Sequence, residues 1–177
     1  VTGIWVRDEP NGTSEGGFPV QPDEDHTPDG VQAFVTGNAP FNGGNVGEDD
    51  VDGGRTTLLS PVWDMSSVSN PVLSYWRWYS NDIGDNPGSD VWEVEVSSDG
   101  ENWVILENTS QSNNSWIQKQ FKLSKYLDVI ETVQARFIAS DEGEGSLVEA
   151  ALDDVIILGM VAFNGVYGDL NGDGIVS

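Results

Sequence analysis

The chain has no cysteine and only one histidine among its 177 residues. Without cysteine there are no disulfides, thiolate metal sites or cysteine nucleophiles. Because His26 is the only histidine, a multi-histidine zinc site within one chain is excluded as well. No apolar run approaches the roughly 20 residues that a membrane-spanning helix needs, so we expect no membrane insertion.

Basic residues are scarce too. The chain has 7 Lys and Arg against 30 Asp and Glu, a net charge of −23. Such a surface repels phosphate backbones and anionic lipid, which argues against nucleic acid and membrane surfaces as partners. With 37% hydrophobic and 10% aromatic residues, the chain is too apolar for a solvated acidic tail. We therefore expect one folded domain with its own core.

This composition also bears on localisation. An acidic, cysteine-free chain rich in Asp, Asn and Gly is typical of a secreted or cell-surface protein of a bacterium or archaeon, in surroundings that contain calcium. An acidic cytosolic protein of a halophile is the alternative. Because the chain begins at Val1 rather than Met, we expect a mature or excised segment.

Short segments of period-two alternation dominate the sequence, separated by 21 Gly and 8 Pro. In one of them, Trp92 and Val94 alternate with Glu93 and Glu95, which predicts a half-buried strand. The segments together predict an all-β fold, an antiparallel β-sandwich of the jelly-roll type. The predicted strands are 3–7, 31–36, 56–60, 72–79, 91–96, 103–107, 116–123, 133–140 and 150–158, with a helical turn in 124–129.

Long acidic loops separate these strands, at 8–30, 37–54, 81–90 and 141–146. Loops of this length in a compact domain need something to order them, and a bound cation is one candidate. Solvated acidic loops are the other interpretation. Ser98-Asp99-Gly100 is shorter and predicts a hairpin turn, because glycine supplies the positive φ that such turns require.

Asp153 and Asp154 lie inside an apolar strand, 150–157. Alternation predicts that at least one of them points inward or toward a sheet edge. An inward carboxylate without a partner is costly, and the chain has only 7 basic residues to offer. A metal ion at Asp153 or Asp154 is therefore favoured.

Several short motifs together resemble a MAM-like or carbohydrate-binding-module-like jelly-roll domain, an accessory module of secreted bacterial proteins. The resemblance covers about residues 1–159 and depends on the order and spacing of the motifs. These motifs are Asp29-Gly30 before an early strand, Leu59-Ser60-Pro61 after another, Ser98-Asp99-Gly100 followed by Trp103 in a hairpin, and Asp153-Asp154 in the last strand.

The resemblance implies a non-catalytic β-sandwich whose long loops are ordered by structural Ca²⁺. It also implies that the chain is a module of a larger polypeptide, whose other domains are its partners. The implied calcium ligands are Asp25, Asp29, Asp50, Asp52, Glu149 and Asp153.

A second resemblance lies at the end of the chain, in 169–177. Asp169, Asn171 and Asp173 fall on positions 1, 3 and 5 of an EF-hand loop, and Gly174 falls on the turn at position 6. This segment resembles the start of a dockerin-type calcium repeat. Since the sequence stops before position 12, we expect the natural protein to continue. The intervening 160–168 is expected to be a linker or an extra edge strand.

Catalytic interpretations are weak. His26 lies in an acidic loop without a nucleophile motif and is expected to be a hydrogen-bonding residue of that loop. Glu93 and Glu95 are the nearest candidate pair for a glycoside hydrolase or lyase. In a chain with 30 acidic residues such pairs also arise by chance. We therefore expect a protein that is not an enzyme.

Binding of a glycan or another polymer is favoured. Tyr75, Arg77 and Tyr79 are predicted to share an exposed face with Glu93, Glu95, Gln134 and Arg136, a mixture of rings and polar groups that suits sugars. Trp116 is predicted to be the most exposed aromatic platform. An ordinary solvated sheet is the alternative for this face. The other tryptophans are expected in the core: Trp5, Trp63, Trp76, Trp78, Trp92 and Trp103.

A third interpretation is a structural or adhesive subunit that self-associates into an extracellular filament or array. In that case, 3–7 or 164–167 would add a strand to the sheet edge of a neighbour.

Overall fold

Two antiparallel sheets pack face to face. The computed structural model describes residues 1–40, 45–143 and 145–161. The elements within these ranges are β1 (Trp5–Asp8), β2 (Thr13–Glu15), β3 (Phe18–Gln21), β4 (Ala33–Thr36), β5 (Gly54–Leu59), β6 (Trp63–Asp64), β7 (Val68–Gly84), β8 (Trp92–Ser97), β9 (Val104–Thr109), β10 (Asn113–Lys122), a 3-10 turn (Leu123–Lys125), β11 (Thr132–Asp141) and β12 (Ser146–Val161).

The first sheet has the strand order β1-β4-β12-β7-β10, and the second has the order β5-β11-β8-β9. β6 pairs with β11, and β2 and β3 form a separate hairpin. All of these pairings are antiparallel. The predicted antiparallel β-sandwich is therefore confirmed.

The core lies between the two sheets and follows the alternation of the sequence. In β8, Trp92, Val94 and Val96 are fully buried, whereas Glu93 and Glu95 are on the outer face. Apolar side chains that all leave water on one face of each sheet supply the main driving force for this arrangement.

All nine predicted strands are present. The hairpin after β8 is confirmed as well, with Gly100 at φ +76°. β2, β3 and β6 were not predicted. The helical turn is shorter than expected and begins one residue earlier, at Leu123. No helix within the described ranges is long and apolar enough to cross a membrane.

Candidate functional site

The outer face of the first sheet is covered by β3 and by residues 22–27 that follow it, which we call the covering segment. Trp78 Nε1 donates a hydrogen bond to the Val20 carbonyl at 2.7 Å, and Trp116 Nε1 donates to the Glu24 carbonyl at 3.1 Å. The His26 ring stacks on Trp76, with 3.7 Å between ring centroids. Trp116 is therefore half-buried at this face, with its indole nitrogen bonded to the covering segment.

Asp153 and Asp154 hold this segment from β12. The strand bulges between Asp153 and Ile156, and Asp154 adopts φ +49°. Because of this bulge, both carboxylates reach residues 26–27: the His26 N–H donates to Asp153 Oδ2 at 3.0 Å, and the Thr27 hydroxyl donates to Asp154 Oδ1 at 2.7 Å. Alternation predicted that at least one of them points inward or toward a sheet edge; instead both carboxylates bond to residues 26–27 on the outer side of the sheet, because the bulge interrupts the alternation.

His26 completes this group, which we call the loop cluster: Asp25, His26, Thr27, Asp153 and Asp154. His26 Nδ1 lies 2.8 Å from Asp154 Oδ2. Burial opposes ionisation of Asp154, but the hydrogen bonds from Thr27 and His26 lower its pKa. The prediction that His26 is a hydrogen-bonding residue of its loop is confirmed.

Asp25 and Asp153 line the same cavity, which has a volume of about 270 Å³. Burial, with the charges of Asp154 and Asp25 added, raises the pKa of Asp153. Gly30 lies so close to Asp25 that a Cβ there would be 2.0 Å from a carboxylate oxygen, and the Asp25 side chain would have to move for a larger residue to fit. Asp29 is exposed on the same loop. Two of the predicted calcium ligands, Asp25 and Asp153, thus lie together.

A second acidic group lies near one end of the sandwich. We call it the rim cluster, and it comprises Asp50, Asp52, Asp90, Asp141 and Glu149. Val51 forms a bridge with Val148 of β12 and lies in the core, so Asp50 and Asp52 flank a fixed backbone position. Glu149 is 1% exposed, and its Oε2 accepts a hydrogen bond from the Thr36 hydroxyl at 3.3 Å.

The carboxyl groups of the rim cluster repel one another. Burial, with the charges of Asp52 and Asp141, raises the pKa of Asp50 to about 7. Burial, with Asp90 and Asp52 nearby, raises the pKa of Asp141 to about 6. Burial and the Asp50 charge also raise the pKa of Glu149 well above its usual value. Within the described residues, no Lys or Arg forms an ion pair that would offset these negative charges.

No ion pair with Lys or Arg reaches the rim cluster or Asp153 in the described part of the chain. The same residues contain no group of three or more His, Asp or Glu side chains arranged to hold a metal ion. Any cation bound there would therefore also need amide or carbonyl oxygens as ligands.

Tyr75, Arg77 and Tyr79 point into the core and not to an exposed face. Their exposed fractions are 0%, 1% and 0%. The prediction that these three residues form an exposed binding face is wrong. β7 carries bulky residues on both faces, and in the structure the face with Tyr75, Arg77 and Tyr79 packs against the second sheet. There Arg77 Nε donates to Glu107 Oε1 at 3.1 Å, and the Tyr75 hydroxyl donates to Glu107 Oε2 at 2.7 Å.

The other half of the predicted face exists on the outer side of the second sheet. Glu93 is ion-paired with Arg55 and accepts a hydrogen bond from Asn108 Nδ2 at 2.7 Å. Glu95 is ion-paired with Arg136 on the neighbouring strand. Each carboxylate of the candidate catalytic pair thus has its own guanidinium partner.

Trp103 adds an aromatic ring to this side. The Arg136 guanidinium carbon lies 4.3 Å from the centroid of the Trp103 ring, a cation–π contact. Trp103 is half-exposed and not part of the core, contrary to the prediction. Strand register places Leu59, Arg136, Glu95 and Ile105 in one row across the four strands. We call this surface, with Trp103 beside it, the outer row.

The predicted calcium loop at the end of the chain, with Asp169, Asn171 and Asp173, lies outside the described residues. So does most of the predicted linker 160–168, although β12 reaches Val161. These predictions stay predictions.

Asn81 and Asp141 lie in two of the acidic loops that the sequence offers for a bound cation, 81–90 and 141–146, but neither was among the predicted calcium ligands. Both lie at the ends of strands, and neither belongs to a recognisable motif. The signal that was available is their position in acidic loops. The proximity of Asn81 to Asp90, whose carbonyl accepts a hydrogen bond from Asn81 Nδ2 at 2.7 Å, needs the three-dimensional fold.

No family model matches the sequence. The search of curated proteins finds no match either. Solved structures with a similar arrangement of strands include TmCBM61 in complex with β-1,4-galactotriose, at 10% identity and a TM-score of 0.48 over 76% of this chain and 74% of that chain. A family 16 carbohydrate-binding module has 11% identity and a TM-score of 0.40, over 82% of this chain and 89% of that chain.

A third structure, described as a CBM4, has 16% identity and a TM-score of 0.37, over 88% of this chain and 94% of that chain. At these identities and TM-scores, none of the three assigns a family or a ligand to this chain.

Proposed function

We propose that the chain is a non-catalytic, calcium-stabilised module of an extracellular protein that binds a polysaccharide through the outer row. The observation that carries this proposal is the Trp103–Arg136 stack beside a row of polar and apolar side chains on an outer sheet face.

The chemistry of the outer row suits a sugar chain. A sugar ring has an apolar face, which packs on aromatic or aliphatic side chains, and a rim of hydroxyl groups, which bond to charged groups. Leu59 and Ile105, at the two ends of the row, are 55% and 50% exposed. Arg136 and Glu95 lie between them and supply charged donors and acceptors.

Catalysis is a poor use of the same surface. A glycoside hydrolase needs one carboxylic acid that gives up its proton and a second carboxylate that acts as base or nucleophile. Here Glu93 and Glu95 are each held in an ion pair with an arginine of their own, Arg55 and Arg136. The pair therefore suits recognition better than proton transfer.

We assign the calcium of this proposal to the loop cluster. Asp25 and Asp153 line one cavity together with Arg7, which forms no ion pair with either of them among the described residues, and burial raises the pKa of Asp153. A calcium ion held by these oxygens would fix the segment that covers the first sheet. Asp29 is close enough in sequence to contribute through water.

The experiment is a glycan array followed by polysaccharide pull-down, with wild type, Trp103→Ala and Trp116→Ala. Trp103→Ala removes the ring of the outer row, and we expect the affinity for the polysaccharide to fall about two- to tenfold, since one aromatic contact contributes roughly 0.5–1.5 kcal/mol. Trp116→Ala is the matched control at the covered face and should keep binding. If Trp116→Ala alone loses polysaccharide binding, the binding surface lies on the first sheet and not on the outer row.

The self-associating subunit remains a second candidate, because β1 is an edge strand of the first sheet. An edge strand presents unpaired backbone groups that pair with another chain. If size-exclusion chromatography of purified protein gives polymers that Val6→Pro abolishes, the building-block function is supported. Monomers at all concentrations would argue against it.

A further inference from the structure

Three buried oxygen atoms near the rim cluster have no hydrogen-bond partner among the described residues: Asn81 Oδ1, Asp141 Oδ1 and the Tyr79 hydroxyl. Asn81 and Tyr79 are fully buried, and Asp141 is 2% exposed. The Tyr79 hydroxyl lies close enough to the Asn81 side chain to interact with it. Native proteins rarely leave buried polar atoms unpaired, so the Asn81 and Asp141 oxygens indicate a missing partner.

The two sheets and one loop bring these groups together. Asn81 belongs to β7 of the first sheet, and its Nδ2 donates to the Asp90 carbonyl at 2.7 Å, which leaves Oδ1 unused. Asp141 ends β11 of the second sheet. Asp90 Oδ1 accepts the Glu142 N–H at 2.9 Å, which holds Asp90 beside the end of β11. The Asp90 and Asp141 charges both act on Tyr79, between the sheets.

Carboxylates surround these unpaired oxygens. Asp52 and Asp90 lie close enough to Asp141 for their charges to act on it, so a cation is the partner that suits this group. Asp50 lies beside them. Asp52 is exposed, so an ion from solvent has access to the group.

We propose that Asp52, Asn81 and Asp141 bind a calcium ion that joins the two sheets at this end of the sandwich, with Asp50 and Asp90 adding negative charge around it. This site shares no residue with the loop cluster and does not depend on glycan binding.

Calcium fits these groups better than water or other metals. A water molecule would satisfy hydrogen bonds but would leave the negative charge unbalanced. The available ligand atoms are carboxylate, amide and phenol oxygens, which are hard ligands, whereas zinc and copper prefer nitrogen or sulfur. Calcium also accepts irregular coordination, which suits ligands from two strands and a loop.

The test uses metal-free protein prepared with EDTA. CaCl₂ is titrated by isothermal calorimetry, and thermal unfolding is followed with and without calcium, for wild type and Asp141→Asn. We expect Asp141→Asn to bind one equivalent of calcium fewer than wild type. Its melting temperature should be higher than that of wild type without metal, because a repelling charge is gone, and lower with calcium.

Two matched variants complete the test. Asp128→Asn makes the same change at an exposed position and should behave as wild type. Asp153→Asn removes a ligand of the loop cluster and should keep the equivalent that Asp141→Asn loses. If Asp141→Asn binds as many equivalents as wild type with the same affinity, the site does not exist.

Asn81→Asp tests the proposal without removing a carboxylate. This variant adds a charge at the place of the unpaired amide oxygen. Without metal it should melt at a lower temperature than wild type, and with saturating calcium it should recover. A variant whose melting temperature does not respond to calcium, while wild type does, would overturn the assignment of Asn81.

Discussion

Two buried acidic regions of this molecule stabilise their carboxylates in different ways. Glu107, between the two sheets, forms ion pairs with Arg77 at 3.1 Å and with Lys119 at 2.9 Å. It also accepts hydrogen bonds from the Tyr75 hydroxyl at 2.7 Å and from Trp92 Nε1 at 3.1 Å. Every lone-pair direction of this carboxylate has a partner from the chain itself.

The rim cluster has several carboxylates and no ion pair with Lys or Arg in the described part of the chain. The two regions differ in their pKa values. Burial alone would raise the pKa of Glu107, but Arg77, Tyr75 and Lys119 lower that pKa below its usual value. Burial raises the pKa of Asp141 to about 6 with no cation to oppose it. With only 7 basic residues, the chain neutralises one buried region itself, and the proposed calcium ion would neutralise the other.

The Glu107 network should be the more sensitive to mutation. Arg77→Met removes one cation from a fully buried carboxylate, and we expect the free energy of unfolding to fall by about 3–5 kcal/mol. Urea unfolding measures it. Arg55→Met is the matched control, because the Arg55–Glu93 pair is at the outer surface and its loss should cost about 1 kcal/mol or less. Equal losses in the two variants would mean that burial of the ion pair is unimportant.

The inward orientation of Arg77 shows where sequence reasoning stops. Period-two alternation correctly predicted the strand, because the pattern is local. It could not choose which face of β7 is inside, since Tyr75, Arg77 and Tyr79 alternate with Trp76 and Trp78 and both sets are large. Glu107, which lies 30 residues from Arg77 along the chain and on the other sheet, provides the partner that makes a buried arginine tolerable.

The residues of the candidate sites were predicted from the sequence only in part. Acidic motifs indicated Asp25, Asp50, Asp52 and Asp153 as ligands, but only the fold shows that they belong to two separate clusters. The bulge at Asp154 turns the carboxylates of β12 toward the covering segment. It depends on a φ of +49° at Asp154, which no sequence motif predicts. Short elements such as β2 and β3 were missed although Gly16-Gly17 between them is a turn signal, because each strand is only three or four residues long.

Calcium should separate the two regions. Removal of metal with EDTA should lower the free energy of unfolding, and calcium at about 100 times its dissociation constant should restore about 2.7 kcal/mol per site. In Arg77→Met the same increment should appear on a lower baseline, since the Glu107 network needs no ion. Unfolding curves that EDTA leaves unchanged would mean that the rim cluster and the loop cluster are neutralised in another way.

The smallest effect should come from the hydroxyl of Tyr75, and it should depend on pH. Tyr75→Phe removes a hydrogen bond to ionised Glu107, and we expect a loss of roughly 1.5–3 kcal/mol at pH 7. The folded-state pKa of Glu107 lies below its ordinary value of 4.5, so the stabilisation by this carboxylate is complete above pH 4.5 and disappears as the pH falls through the folded-state pKa. The difference in the free energy of unfolding between Tyr75→Phe and wild type should therefore shrink at pH 3. Tyr126→Phe is the control, the same change at a half-buried tyrosine outside the network, and it should differ from wild type by the same amount at both pH values.

A Tyr75→Phe penalty that does not change with pH would show that Tyr75 contributes through packing rather than through its bond to Glu107. The Glu107 network would then depend on Arg77 and Lys119 alone.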